Sequence, residues 1–264
     1  VPDLVGLHGW PALVALAAAA VVIGFSKTSF GGVAAISVAV FAFVMPAKES
    51  TATVLLLLIV GDLVAVARYR RVRWRLLPRL LPAVVPGLLL GALFMNLVDD
   101  TVMKLTIGGL LLVMVLIQLR PRLRGRSQRR VSSDEPPHGP TSAAAGPGWP
   151  VQIGAGVAAG FTTMTANAAG PFMALYFLAA RIDKMQFIGT NAWFFCIVNI
   201  SKVPLAASLG LYTGEGLWLV LLLIPLVLAG TVVGVSVIKR VSQRQFEIVT
   251  LVASAIAAVS LLVL

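Results

Sequence analysis

The strongest constraint on this chain is a succession of apolar runs, at about residues 11–24, 32–45, 50–67, 76–97, 102–119, 150–160, 168–180, 186–203, 217–238 and 246–264. A helix needs about 20 apolar residues to cross the hydrocarbon core, with a range of about 17–25. Runs 50–67, 76–97, 102–119, 186–203, 217–238 and 246–264 are long enough. Runs 11–24, 32–45, 150–160 and 168–180 are short, and a polar, Gly-bearing break separates the members of each short pair: GFSKTSFGG (24–32) and GFTTMTANAAG (160–170). Each pair reads either as two tilted short spans or as one re-entrant hairpin, and both return to the starting side. Composition agrees. Charged residues make up 12% and hydrophobic ones 59%, against about 25% charged in an ordinary soluble domain. So few charges cannot solvate the surface of a soluble domain of this size. That excludes a soluble enzyme and a disordered basic protein, and the expected fold class is an all-α polytopic membrane protein. The first run lacks the basic flank of a secretory signal peptide and continues into a repeated pattern.

That pattern is an internal repeat. At an offset of 136, Gly24-Phe25-Ser26 meets Gly160-Phe161-Thr162, and Lys48 meets Lys184. At an offset of 143, Pro82 meets Pro225, Gly87 meets Gly230, Gly91 meets Gly234 and Val98 meets Val241. Residues 1–119 form the expected first repeat and 150–264 the second. The stretch 120–149 between them is basic, then rich in Pro, Ser and Gly, which reads as a solvated linker. Each half carries a broken helix pair or re-entrant hairpin plus three long spans. Five segments, or three with a re-entrant pair, is an odd number, so the halves are expected to be inverted relative to each other.

Charge tests the inversion. If the six Arg of 68–79 are cytoplasmic, the linker with six more is cytoplasmic too, and so are Arg181, Lys184, Lys239, Arg240 and Arg244. That places 17 of the 21 Lys and Arg on one side, with the N-terminus external. The acidic Asp99-Asp100 turn and the loop 204–216, which has no Lys or Arg, fall outside. A uniform basic surface for nucleic acid would not alternate in this way. The net charge of +11 therefore reads as orientation signal. Only Lys27 and Lys202 are left within or near the membrane.

Inverted repeats with broken helices are common in secondary transporters, whose site lies near the midplane between the halves. Broken helices present free amides and positive dipole ends that suit an anion. In the first break Ser26, Thr28 and Ser29 offer hydroxyls, and Gly31 and Gly32 permit close backbone approach. Thr162, Thr163, Thr165 and Asn167 supply the second break. The ordinary alternative is two Ser/Thr/Gly turns at a helix interface; matching breaks in both halves favour a site. A charge such as Lys27 costs about 2.5–3.5 kcal/mol within a membrane segment. Lys27 either snorkels to an interface or neutralises a bound anion. Asp62 has three open readings: a coupling proton site, a partner for Lys27, or a partner for an interfacial Arg. Lys202, followed by Pro204, reads as snorkelling or as a ligand contact. Asn191 and Asn199 share a helix face, where interhelical hydrogen bonding is the default and site lining the alternative. Gly87-xxx-Gly91 and Gly230-xxx-Gly234 read as close-packing motifs. Trp193-Phe194-Phe195 reads as packing or lipid contact. Cys196 cannot form a disulfide within the chain, since it is the single cysteine. No Walker loop, HExxH or nucleophile–base pair is present, so no enzyme, cofactor or metal is expected.

GFSKTSFGG (24–32), MPAKES (45–50), VGDLVAVARYRR (60–71), AGFTTMTANAAGPFMALYF (159–177) and GTNAWFFCIVNISKVP (189–204) together resemble the TauE/SafE, or toluene sulfonate uptake permease, family. The resemblance covers nearly the whole chain outside the linker. It implies a multi-pass protein of a bacterial inner (plasma) membrane that moves sulfite, organosulfonates, sulfoacetate or related anions. The expected function is secondary transport of a small sulfur-containing or carboxylate anion by alternating access, with a proton as possible co-substrate, the lipid bilayer as surroundings and a homodimer as a possible assembly. A passive anion channel and a non-transporting scaffold subunit are the alternatives.

Overall fold

The computed structural model describes residues 2–29, 33–107, 109, 110, 149–170, 173, 176, 177, 183–242 and 245. Gly31, Gly32, Arg181, Arg244, nearly all of the linker and the last apolar run lie outside the described residues. Among the described residues every regular element is helical: α1 (Pro2–Thr28), α2 (Ala34–Val44), α3 (Ala47–Arg68), α4 (Leu77–Leu97), α5 (Trp149–Ala166), α6 (Lys184–Ser208) and α7 (Gly214–Arg240). The chain folds as an all-helical membrane protein. Among the described residues, four stretches are long and apolar enough to cross a bilayer: Gly9–Thr28, Ala47–Arg68, Leu80–Leu97 and Gly214–Arg240.

The helix ends follow local chemistry. Thr213 caps α7 by accepting from the Gly216 amide, and Asp183 caps α6 by accepting from the amides of Met185 and Gln186. Both satisfy amides that a helix start leaves orphaned. Lys184 in turn donates its ammonium to the carbonyls of Ile238 and Val241 at the C-terminal end of α7, where the helix dipole favours a cation. The first short apolar run belongs to a helix of full spanning length, because α1 stays helical through Ser26, Lys27 and Thr28. Its partner α2 has 11 residues, about 16 Å of rise, and is too short to span.

Two pairings dominate the packing: α1 against α7, and α4 against α5. Both rest on glycine. A Cβ at Gly24 would strike the carbonyl of Val227, and one at Gly230 would strike the carbonyl of Val21. In the other pairing, a Cβ at Gly160 would strike the carbonyl of Val84, and one at Gly87 the carbonyl of Val157. Position for position, the second set of contacts is the first with the two halves exchanged. Without a hydrophobic force between helices in lipid, such close backbone approach is what holds helices together. The outer faces are apolar: Val85, Leu89 and Leu90 of α4 and Leu228, Val232 and Val233 of α7 are all exposed, as lipid-facing side chains must be. Gly230→Val is expected to cost about 1–3 kcal/mol by overpacking, read as a lower melting temperature in detergent. Gly154→Ala, at a site with no neighbour within 4 Å, is expected to leave it unchanged or raise it.

Candidate functional site

Four helices and two breaks meet around Asp62. Asp62 sits on α3 and is fully buried. Lys27, at the end of α1, places its ammonium 2.7 Å from Asp62 Oδ1. Gly61 makes this possible: a Cβ there would lie 2.9 Å from the Lys27 stem. The other Asp62 oxygen accepts from Asn199 Nδ2 of α6 at 2.7 Å. The Lys27 ammonium also lies 4.7 Å from the centre of the Phe195 ring, within cation–π range. Of the three readings of Asp62, its geometry matches the ion pair with Lys27.

Lys202, one helical turn beyond Asn199, is also fully buried and does not reach an interface. Its ammonium donates to Asn167 Oδ1 and lies 3.4 Å from Thr163 Oγ1. Both acceptors are neutral, and among the described residues no carboxylate lies within ion-pair distance of Lys202. Asn167 adopts a left-handed backbone (φ 49°), tolerable for Asn. That turn ends α5 and lets its amide nitrogen donate to the Thr51 carbonyl on α3 at 2.9 Å. Thr51 Oγ1 donates to the Thr165 carbonyl at 3.1 Å.

The first break is tied to the other end of α3. Tyr69 Oη donates to the Thr28 carbonyl at 2.6 Å, and burial pushes the phenol up to about 12. Thr51 and Tyr69 are 18 residues apart, about 27 Å along a helix, and Asp62 lies between them. The strap after Tyr69 docks on α6: the Arg73 amide donates to Thr190 Oγ1 at 2.8 Å, and Gly189 lies against the Arg71 carbonyl. Tyr69→Phe is expected to cost about 1 kcal/mol or more by orphaning a buried carbonyl. Because the folded value exceeds the ordinary one, the Tyr69 contribution is present below about pH 10 and fades as pH rises through about 12. The phenylalanine variant should show a shallower alkaline loss of stability.

Between the breaks lies a cavity of about 30 Å³, lined among others by Ser26, Lys27, Thr163, Asn167, Asn191 and Asn199. That is room for a water or two and not for a sulfonate. Of the hydroxyls expected at the breaks, Ser26 lines the cavity and accepts from the Ala34 amide at 3.1 Å. Four others turn to backbone. Thr28 donates to the Thr231 carbonyl, Ser29 and Thr165 to the Phe161-type position four residues back (Phe25 and Phe161), and Thr162 to Ala158. Lys202 stands behind Thr163 and Asn167, outside the lining. Sequence reasoning missed Phe195, Thr51, Gly61 and Tyr69. Polar Ser50-Thr51 at the start of an apolar helix was a usable signal for one of them.

The Asn199 Oδ1 and Asn191 Oδ1 atoms are buried without a hydrogen-bond partner. Buried polar atoms are seldom left so, and both belong to residues that line the cavity. Among the described residues no group of His, Cys, Asp and Glu could hold a metal ion.

No curated protein and no solved structure gave a significant match to the chain. A family model described as sulfite exporter TauE/SafE matches residues 16–261. With nearly all of its length matched, the chain belongs to the TauE/SafE sulfite exporter family of membrane transporters.

Proposed function

We propose that this protein is a secondary transporter of small sulfur-containing anions such as sulfite or an organosulfonate. It works by alternating access, with its site at the cavity between the two breaks. The observation that carries this reading is the buried cluster Lys27–Asp62–Asn199 with Lys202 beside it, at membrane depth and against a cavity. Intramembrane charges are costly and mark substrate paths. The hydroxyl and amide donors that serve the anion are Ser26, Thr163, Asn167 and Asn191, and Lys27 and Lys202 supply positive charge.

Two inverted repeats, 1–119 and 150–264, supply the moving parts. The exchanged glycine contacts of α1–α7 and α4–α5 support that reading, because each pairing joins one half to the other at matching positions. In the described state Tyr69 and Thr28 tie one end of α3, and Asn167 and Thr51 the other. An anion enters when one tie opens, which accounts for a cavity smaller than the cargo. The excess of Lys and Arg on one side supports a cytoplasmic linker and an external N-terminus, and the family supports a bacterial inner membrane.

The test is a thermal-shift panel on the purified protein in detergent, with sulfite, sulfonates, sulfoacetate and simple carboxylates. Saturable stabilisation by the sulfur anions is expected, since a ligand of the folded state stabilises it by mass action. A flat panel contradicts the reading.

A further inference from the structure

Where α3 ends, the chain runs on as a non-helical strap before the short turn Trp74–Leu76 and α4. A cavity of about 440 Å³ opens beside the strap, lined by Ala67, Arg68, Tyr69, Arg70, Arg71 and Met185. That volume lies within the range of about 300–1,000 Å³ typical of ligand pockets. The three lining arginines are exposed. The ion pairs among the described residues are Lys27–Asp62 and Lys104–Asp100, so none of these arginines has a carboxylate partner there. Asp183, two residues before Met185, accepts instead from the amides of Met185 and Gln186. The strap is also held in place. The Arg73 amide donates to Thr190, the Arg71 carbonyl lies against Gly189, and Trp74 packs on Trp193 with ring centroids 5.0 Å apart. Positive charge that served only to orient the chain would need neither a cavity nor a docked strap.

The approach to the cavity is apolar. Leu63 and Ala67, one turn apart on one face of α3, are both exposed and lead to the arginines. Trp74, beyond them on the strap, is exposed as well, as a residue anchored at a membrane–water interface would be. An apolar track that ends in fixed guanidiniums matches an acyl chain that ends in a phosphate.

We propose that this cavity is a binding site for the headgroup phosphate of an anionic phospholipid. Arg68, Arg70 and Arg71 hold the phosphate, because the planar guanidinium pairs with it in a bidentate manner. The acyl chains lie along Leu63 and Ala67. Basic pockets beside spans suit such headgroups. Tyr69 forms part of the wall and donates its hydroxyl to the Thr28 carbonyl. A bound lipid therefore braces the strap that carries this tie to the first break. The inference is independent of the cargo and of the cavity between the breaks.

The test uses the full chain purified in a neutral detergent at about 0.15 M salt, where charges more than about 8 Å away are largely screened. Short-chain phosphatidylglycerol, phosphatidylcholine of the same chain length, glycerol phosphate and inorganic phosphate are titrated, and the melting temperature is read. Phosphatidylglycerol is expected to stabilise wild type saturably, with little effect from phosphatidylcholine or from either free phosphate. In Arg68→Gln/Arg70→Gln/Arg71→Gln the half-saturating lipid concentration is expected to rise about a hundredfold. Lys239→Gln/Arg240→Gln removes exposed charge at the end of α7, outside the lining, and is expected to leave it unchanged. Equal weakening by the two variants reduces the arginines to diffuse charge and overturns the site. Two results overturn it in wild type alone, whether or not any variant folds. One is phosphatidylcholine that stabilises as well as phosphatidylglycerol. The other is free phosphate that stabilises as well as the lipid, which would make the ligand a soluble anion.

Discussion

Lys27→Met and Asp62→Leu are each expected to cost about 3–5 kcal/mol of stability, whereas the double variant regains most of that loss and still moves no anion. Each single change strands a buried charge, and breaking a buried pair from one side is strongly destabilising. Removing both replaces the pair by apolar groups of similar volume, which is often neutral or stabilising. The Lys27–Asp62 distance of 2.7 Å and the complete burial of Asp62 put this pair in that class. Melting of the purified variants in detergent gives the stability, and anion uptake by proteoliposomes gives the function. A stable double variant without flux shows that the pair exists for transport. A double variant that still transports makes the pair a structural strut.

Lys202→Met separates stability from function in the opposite way. The methionine removes a buried amine whose partners are neutral, Asn167 and Thr163. Relief of its desolvation cost offsets the loss of its hydrogen bonds, so the variant should melt close to wild type. Its half-saturation concentration for anions should rise about 10–100-fold. That range corresponds to one lost charge-assisted interaction of about 1.5–3 kcal/mol, at about 1.4 kcal/mol per tenfold. Sites that bind charge commonly trade stability for function in this manner. An unchanged half-saturation together with a large fall in melting temperature would assign Lys202 to the scaffold.

Much of the fold was legible because a bilayer forces simple rules on a sequence. The run 50–67 became Ala47–Arg68, 76–97 became Leu77–Leu97 and 217–238 became Gly214–Arg240, since length and apolarity alone specify a span. The first break was less legible. Packing against α7 carried α1 through Ser26, Lys27 and Thr28, against the low helix propensity of Ser and Thr, so those polar residues are helical. For the site, residue type identified Lys27, Asp62, Thr163, Asn167, Asn199 and Lys202, because a polar or charged group in an apolar helix is visible in one dimension. Orientation was not visible. Thr28 faces Thr231 and Thr162 bonds its own helix, and only the helical phase and the neighbours decide which hydroxyls reach a cavity. Its place near a helix end before Pro204 made Lys202 look interfacial; it is instead fully buried, with its ammonium on Asn167 of the second break. Gly61 had no signal at all, since its role is to leave room for the stem of a lysine from another helix.

The most direct test of an anion site at this cluster is counterflow in proteoliposomes. Vesicles loaded with unlabelled sulfite or sulfonate receive labelled anion outside, and three proteins are compared: wild type, Lys27→Ala and Lys104→Ala. Lys104 is exposed and pairs only weakly with Asp100, at 4.0 Å, so its loss should not matter. Saturable exchange that survives in Lys104→Ala and disappears in Lys27→Ala is the predicted result. Exchange that proceeds unaltered without Lys27, or flux that never saturates, would contradict a carrier whose cargo meets its charge at this site.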